Sequence, residues 1–290
     1  MVRGPALKRF LPLLVVMVAA SILSCGGKEE TGGKIEVVVT IPPQAEFVER
    51  VGGERVMVTV MVPPGANLHT YEPTPSQMTA LAGAEMYAKV GSGIEFELAW
   101  MDRLLAVNQD MLVVDCAWGV EIEEVAGKRT LDPHIWMSPR NAKIMVQNIY
   151  DGLVQVDPDG KEYYRQNLER YLRELSQLDQ EIRDKLSGVT NRRFMVYHPA
   201  FGYFAREYNL VMLPIEAEGK EPTAAGLARL IEQAKENGIK VIFAEPQFNP
   251  QSAEVIAEAI DGRVVLIDPL AKDYVVNLRR LADEMALAMK

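Results

Sequence analysis

Short runs of β-branched and aliphatic residues recur eight times along this chain, and each is followed by a segment of helical period. The runs occupy 35–40, 56–62, 86–90 and 112–115, then 194–197, 210–215, 241–244 and 264–267. Strands that alternate with helices pair in parallel, because a crossover helix carries the chain back to the edge where it started, and the resulting sheet is covered on both faces. Four runs fall on each side of a central segment. The expected fold is therefore α/β, with two lobes, each a parallel four-stranded sheet flanked by helices.

The central segment is of a different kind. Between Pro158 and Leu186 there is no glycine after Gly160 and no further proline, and Tyr164, Leu168, Tyr171, Leu172, Leu175, Leu178, Ile182 and Leu186 fall on one helical stripe with charged residues opposite. Asp157-Pro158 suits a helix start and Ser187-Gly188 a stop. At 1.5 Å per residue, about 27 residues reach about 40 Å, enough to cross a two-lobed molecule. This predicts an N-terminal lobe at 35–157, one connecting helix at 158–187 and a C-terminal lobe at 188–290. One stiff helix allows less closure than several flexible crossovers.

The chain opens with Arg3, Lys8 and Arg9 and no acid, then an apolar stretch from Phe10 to Leu23, then Ser24-Cys25-Gly26-Gly27. This is the pattern of a secretory signal, and the apolar stretch is shorter than the roughly 20 residues of a spanning helix. Ile22-Leu23-Ser24-Cys25 resembles a bacterial lipobox. The expectation is a lipoprotein signal peptide at 1–24, lipidation of Cys25 and a solvated tether at 25–34. Cys116, the only other cysteine, lies in an apolar stretch and is expected to be a buried thiol. A net charge of −9 argues against nucleic acid and favours attraction of cations. Roughly 265 residues beyond the leader exceed the comfortable size of one core.

The chain holds only three histidines, each beside turn-forming or aromatic residues: His69 before Thr70-Tyr71-Glu72-Pro73, His134 in Asp132-Pro133-His134-Ile135-Trp136, and His198 before Pro199-Ala200-Phe201-Gly202-Tyr203. Ligands of open parallel sheets bind beyond the carboxyl ends of the strands. His198 follows its strand at once, His69 follows by one loop, and His134 lies in the connection after the fourth run. All three can face one cleft, two from the first lobe and one from the second. A divalent first-row ion adds carboxylate to imidazole. Asp268 and Glu245 both stand at strand ends as the fourth ligand. Glu72 and Asp132 are candidates to accept an imidazole N–H from behind. Tyr71, Trp136, Phe201 and Tyr203 are expected to pack around the cleft and keep water out.

These motifs, with Glu218-Gly219-Lys220-Glu221-Pro222-Thr223, Phe243-Ala244-Glu245-Pro246-Gln247-Phe248 and Asp268-Pro269-Leu270, resemble the metal-binding solute receptors of ABC importers for zinc and manganese, the cluster A-I lipoproteins. The likeness spans essentially the whole chain beyond the leader. It implies two α/β lobes joined by one long helix, with the metal between them. It implies His69, His134, His198 and Asp268 as ligands, with Asp268 ahead of Glu245. Two departures stand out: Asn67-Leu68 where Asp-Pro is usual, and Pro199 where an acid is common.

The resemblance points to Zn2+ as the bound ion, with Mn2+ second. Residues 120–130, where zinc receptors often carry a His-rich loop, hold acids but no histidine. The implied role is that of an extracytoplasmic, membrane-anchored monomer that captures the ion and delivers it to an ABC permease with a cytoplasmic ATPase. It is not an enzyme on this reading. The alternatives are a secreted zinc-dependent hydrolase, with Asp268 or Glu245 as general base, and a surface adhesin.

Overall fold

In the computed structural model, which describes residues 1, 2, 4, 33–124, 131–216 and 219–289, the eight apolar runs form eight strands. Most of the leader, the tether up to residue 32, Cys25 and Glu218 lie outside the described residues. The first sheet is built from β1 (Ile35–Val39), α1 (Pro42–Gly52), β2 (Val56–Val60), α2 (Pro75–Gly83), β3 (Met86–Lys89), α3 (Glu95–Val107) and β4 (Leu112–Asp115), followed by α4 (Pro139–Val156). Its strand order is β2-β1-β3-β4, all parallel, with Ile35 opposite Val56 and Met86 opposite Leu112.

A 3-10 turn at Pro158–Gly160 leads into the long helix α5 (Lys161–Ser187). The second sheet comes from β5 (Arg193–Val196), α6 (Gly202–Glu207), β6 (Val211–Pro214), α7 (Ala224–Glu236), β7 (Val241–Ala244), α8 (Gln251–Ala259) and β8 (Arg263–Leu266), closed by α9 (Tyr274–Ala288). Its order, β6-β5-β7-β8, repeats that of the first. β1 and β5, each followed by a crossover, take equivalent inner positions.

α5 buries Tyr164, Leu168, Tyr171, Leu175, Leu178, Ile182 and Leu186, and Leu172 is only half-buried. Asn167 takes a place on the buried stripe because its amide donates to the Val51 carbonyl at 2.9 Å, which satisfies a polar group that would otherwise be costly there. The helix start is tied down: the Asp157 carboxylate accepts from Arg55 Nε at 2.8 Å and from Tyr164 Oη at 2.5 Å.

The strands of the second sheet alternate their faces between two apolar clusters. From β5, Phe194 and Val196 join a cluster that runs through the first sheet, α5 and α9, while Met195 and Tyr197, the residue that follows the strand, pack with Ile242, Ala244 and Ile256 on the other side. Because the larger cluster is continuous across both sheets, Gly33 to Lys290 is one unit by its contacts. Tyr274, at the start of α9, stands edge-on to Phe47 of α1 with ring centroids 4.9 Å apart. The two sheets are thus joined by a shared core as well as by the long helix.

Candidate metal centre

His69 lies in the loop after β2, where its N–H donates to Asn67 Oδ1 at 2.8 Å. Asn67 thereby makes the side-chain turn that an aspartate at this position would make. His134 precedes the 3-10 turn Ile135–Met137 ahead of α4. His198 follows β5 directly. All three therefore leave the carboxyl ends of their sheets, and they meet in the groove between them. The His134 and His198 ring centroids are 5.2 Å apart, those of His69 and His198 5.0 Å, and the two Nε2 atoms of His134 and His198 stand 3.3 Å from each other.

Each imidazole is held from behind by a carboxylate at Nδ1. His69 faces Glu95 at 3.0 Å, His134 faces Asp132 at 2.8 Å and His198 faces Glu216 at 3.2 Å. An Nδ1–H donated to a carboxylate leaves Nε2 as the basic, outward nitrogen, the arrangement in which imidazole ligates a metal. Two basic Nε2 atoms that face each other repel unless a cation or a proton lies between them. With Zn–N bonds of about 2.0–2.1 Å, the edge of a tetrahedron is about 3.3–3.4 Å, and the His134–His198 separation matches it.

The three pairs differ in depth. Side-chain exposure is 9% and 3% for His134 and Asp132, and 9% and 5% for His198 and Glu216, against 28% and 53% for His69 and Glu95. Burial is the main force on His198 and lowers its pKa, keeping the ring neutral. On the outer pair the hydrogen bond dominates: it raises the His69 pKa and holds Glu95 down to about 2. For Glu216, burial alone would raise the carboxyl, but the bonds from His198 and the Gly219 N–H bring it below the usual range.

Asp268 uses one oxygen, Oδ1, to accept from Gln247 Nε2 at 2.7 Å and from the Leu270 N–H at 2.9 Å. Glu245 is buried beneath His198, whose backbone N–H donates to Oε2 at 3.1 Å, while Oε1 has no hydrogen-bond partner. Desolvation pushes the Glu245 carboxyl well above the usual range. Among the described residues, no three His, Cys, Asp or Glu side chains are already set around one point as a complete ligand group. The histidines converge, and the carboxylates nearest to them are engaged at Nδ1.

The other expected site residues fall differently. Asp132 accepts from both the backbone N–H and Nδ1 of His134. Glu72 is exposed, and Glu95 fills the role expected of it. Of the four aromatics, Trp136 lines the groove, 5.4 Å from the His134 ring. Tyr203 is buried and donates to the Asp132 carbonyl, Phe201 belongs to the core, and Tyr71 bonds Gln77.

The residue that caps the imidazoles is Phe248, stacked on His198 with centroids 4.8 Å apart and 6.4 Å from His69. The sequence does not single out Glu95 or Glu216, and Gln247 and Phe248 stand there only as part of the motif from Phe243 to Phe248, with no role of their own. Glu216 carried a usable signal, since it follows the β6 run as Glu245 and Asp268 follow theirs. Glu95 carried none, because an acid in the first turn of a helix is ordinary. Cys116 is buried and hydrogen-bonded by Gln44, away from the groove.

A family model described as "Zinc-uptake complex component A periplasmic" matches residues 37–288. The chain is similar to the high-affinity zinc uptake system protein ZnuA of Bacillus subtilis (strain 168), with 30% identity over 271 residues that cover 89% of this chain and 85% of that protein. It is similar also to the manganese-binding lipoprotein MntA of Halalkalibacterium halodurans, with 31% identity over 244 residues, 81% of this chain and 80% of that protein. Among solved structures, a crystal structure of ZnuA overlays with a TM-score of 0.86 at 44% sequence identity, covering 89% of this chain and 100% of that one.

Proposed function

Because the chain belongs to the family of periplasmic A components of zinc-uptake complexes, we propose that it captures Zn2+ outside the cytoplasmic membrane and hands it to an ABC permease driven by a cytoplasmic ATPase. His69, His134 and His198 bind through Nε2, and Asp268 supplies the fourth ligand through the oxygen not held by Gln247 and Leu270. Glu245 stays beneath His198 as a hydrogen-bond acceptor. The protein acts as a monomer, tethered to the membrane through lipidated Cys25.

The observation that carries this reading is the facing pair of Nε2 atoms 3.3 Å apart, each on a ring whose Nδ1 is held by a buried carboxylate. Three imidazoles and one carboxylate favour Zn2+ over Mn2+, which binds more weakly to nitrogen donors; Mn2+ is the second cargo. Four protein ligands leave no position for a hydrolytic water, which suits transport and not hydrolysis.

The test is His198→Ala. Loss of a partner behind a ligand costs about 10–100-fold in metal affinity, so loss of a ligand is expected to cost more than about 100-fold in a chelator competition, with the circular dichroism spectrum retained. Wild-type affinity in the variant would remove His198 from the site.

A further inference from the structure

We infer that Trp136 is a positioning residue that staples the loop of Asp268 to the loop of His134 across the groove, so that two ligands from opposite sheets are held as one rigid half of the site. This rests on the ligand set proposed above. The Trp136 indole N–H donates to the Pro269 carbonyl at 2.8 Å, one residue beyond Asp268. In return, Tyr274 Oη donates to the Trp136 carbonyl at 2.7 Å, two residues beyond His134. Both rings are buried, Trp136 at 1% exposure and Tyr274 at 2%.

The two bonds tie the turn after His134 both to the residue after Asp268 and to the start of α9, so the two sides separate there only by breaking both. A buried indole N–H without an acceptor is costly, which penalises separation of the loops. Among the described residues no comparable bond ties the outer part of the groove: His69 is backed by half-exposed Glu95, and Phe248 covers the rings by stacking alone. Loading and unloading therefore proceed by movement of the His69 and Phe248 side, while His134 and Asp268 keep their spacing.

The experiment measures zinc affinity by chelator competition, and the visible absorption of the Co2+ form, in wild type, Trp136→Phe and Tyr274→Phe. Each variant keeps a ring and removes one half of the staple. Ile256→Val, in the separate apolar cluster, serves as a control that lowers the unfolding midpoint without touching either loop.

The expected result is about a tenfold loss of affinity in each staple variant, with a changed Co2+ spectrum, and neither effect in Ile256→Val. Tyr274→Phe carries the test if Trp136→Phe does not fold. Wild-type affinity and spectrum in the staple variants would overturn the inference, as would an equal loss in Ile256→Val. A wild-type protein that binds neither ion would overturn the ligand reading itself.

Discussion

A single added methyl on the second half of the molecule is expected to disturb a histidine on the first. Gly202 opens α6, and an ideal Cβ placed on it would stand 3.3 Å from Asp132 Cγ and deep inside contact with Asp132 Oδ2, where ordinary contacts begin at 3.4 Å. A flexible carboxylate on a surface would swing away at little cost. Asp132 is 2% exposed, and its Oδ1 holds both the N–H and Nδ1 of His134.

In Gly202→Ala the carboxylate has to shift by about 1 Å, or α6 has to back away from the groove. If the carboxylate gives, the charge-assisted bond to His134 is lost, about 1.5–3 kcal/mol, and zinc binding weakens by about 10–100-fold. If α6 gives, overpacking lowers the unfolding free energy by about 1–3 kcal/mol. Chelator competition and thermal unfolding on the same preparation read both routes. A variant that matches wild type in both would refute the claim that Asp132 is clamped between His134 and α6.

The carboxylates behind the histidines should rank by burial. Glu216→Gln is expected to weaken zinc binding by about 10–100-fold, whereas Glu95→Gln, in a half-exposed pair worth about 0.2–1 kcal/mol, should cost a factor of about five at most; titration of both variants against one chelator checks the order. At the other end of the molecule, burial alone would raise the Asp157 carboxyl, but the bonds from Tyr164 and Arg55 bring it below its usual value. A depressed carboxyl stabilises the fold fully above its unfolded pKa and loses that contribution as pH falls through the folded pKa. The stability gap between wild type and Asp157→Asn should therefore be constant near neutrality and shrink below about pH 4, as followed by denaturant unfolding at a series of pH values. A gap unchanged down to pH 2 would contradict it.

The fold was legible because its signals are local. Each β-branched run became a strand within a residue or two, and the glycine-free stripe from Tyr164 to Leu186 became α5. Where the stripe misled, at Leu172, the buried place went to Asn167, whose partner Val51 is far away in the chain.

The histidines were legible from their scarcity and their positions after strands. Their partners were less so, since a carboxylate that serves an imidazole looks like any other until the fold brings it near. Glu72, two residues before α2's capping threonine, pointed to His69 by proximity in sequence, whereas Glu95 reaches it by way of β3. The aromatics show the same effect: Phe248 covers the site from a loop after β7, and Phe201, next to a ligand motif, is core. Extent of burial across the two sheets was not legible either. Two sets of four strands suggest separate lobes, and the shared apolar cluster through α5 and α9 appears only in three dimensions.

The most direct test of the ligand set is X-ray absorption at the zinc edge of the protein loaded with one equivalent of Zn2+. The account predicts four nitrogen or oxygen neighbours at about 2.0–2.1 Å, three of them showing the outer-ring scattering of imidazole, and a loss of one imidazole in His69→Ala. A spectrum with fewer than three imidazoles in the wild type, or one dominated by six oxygen neighbours, would contradict it.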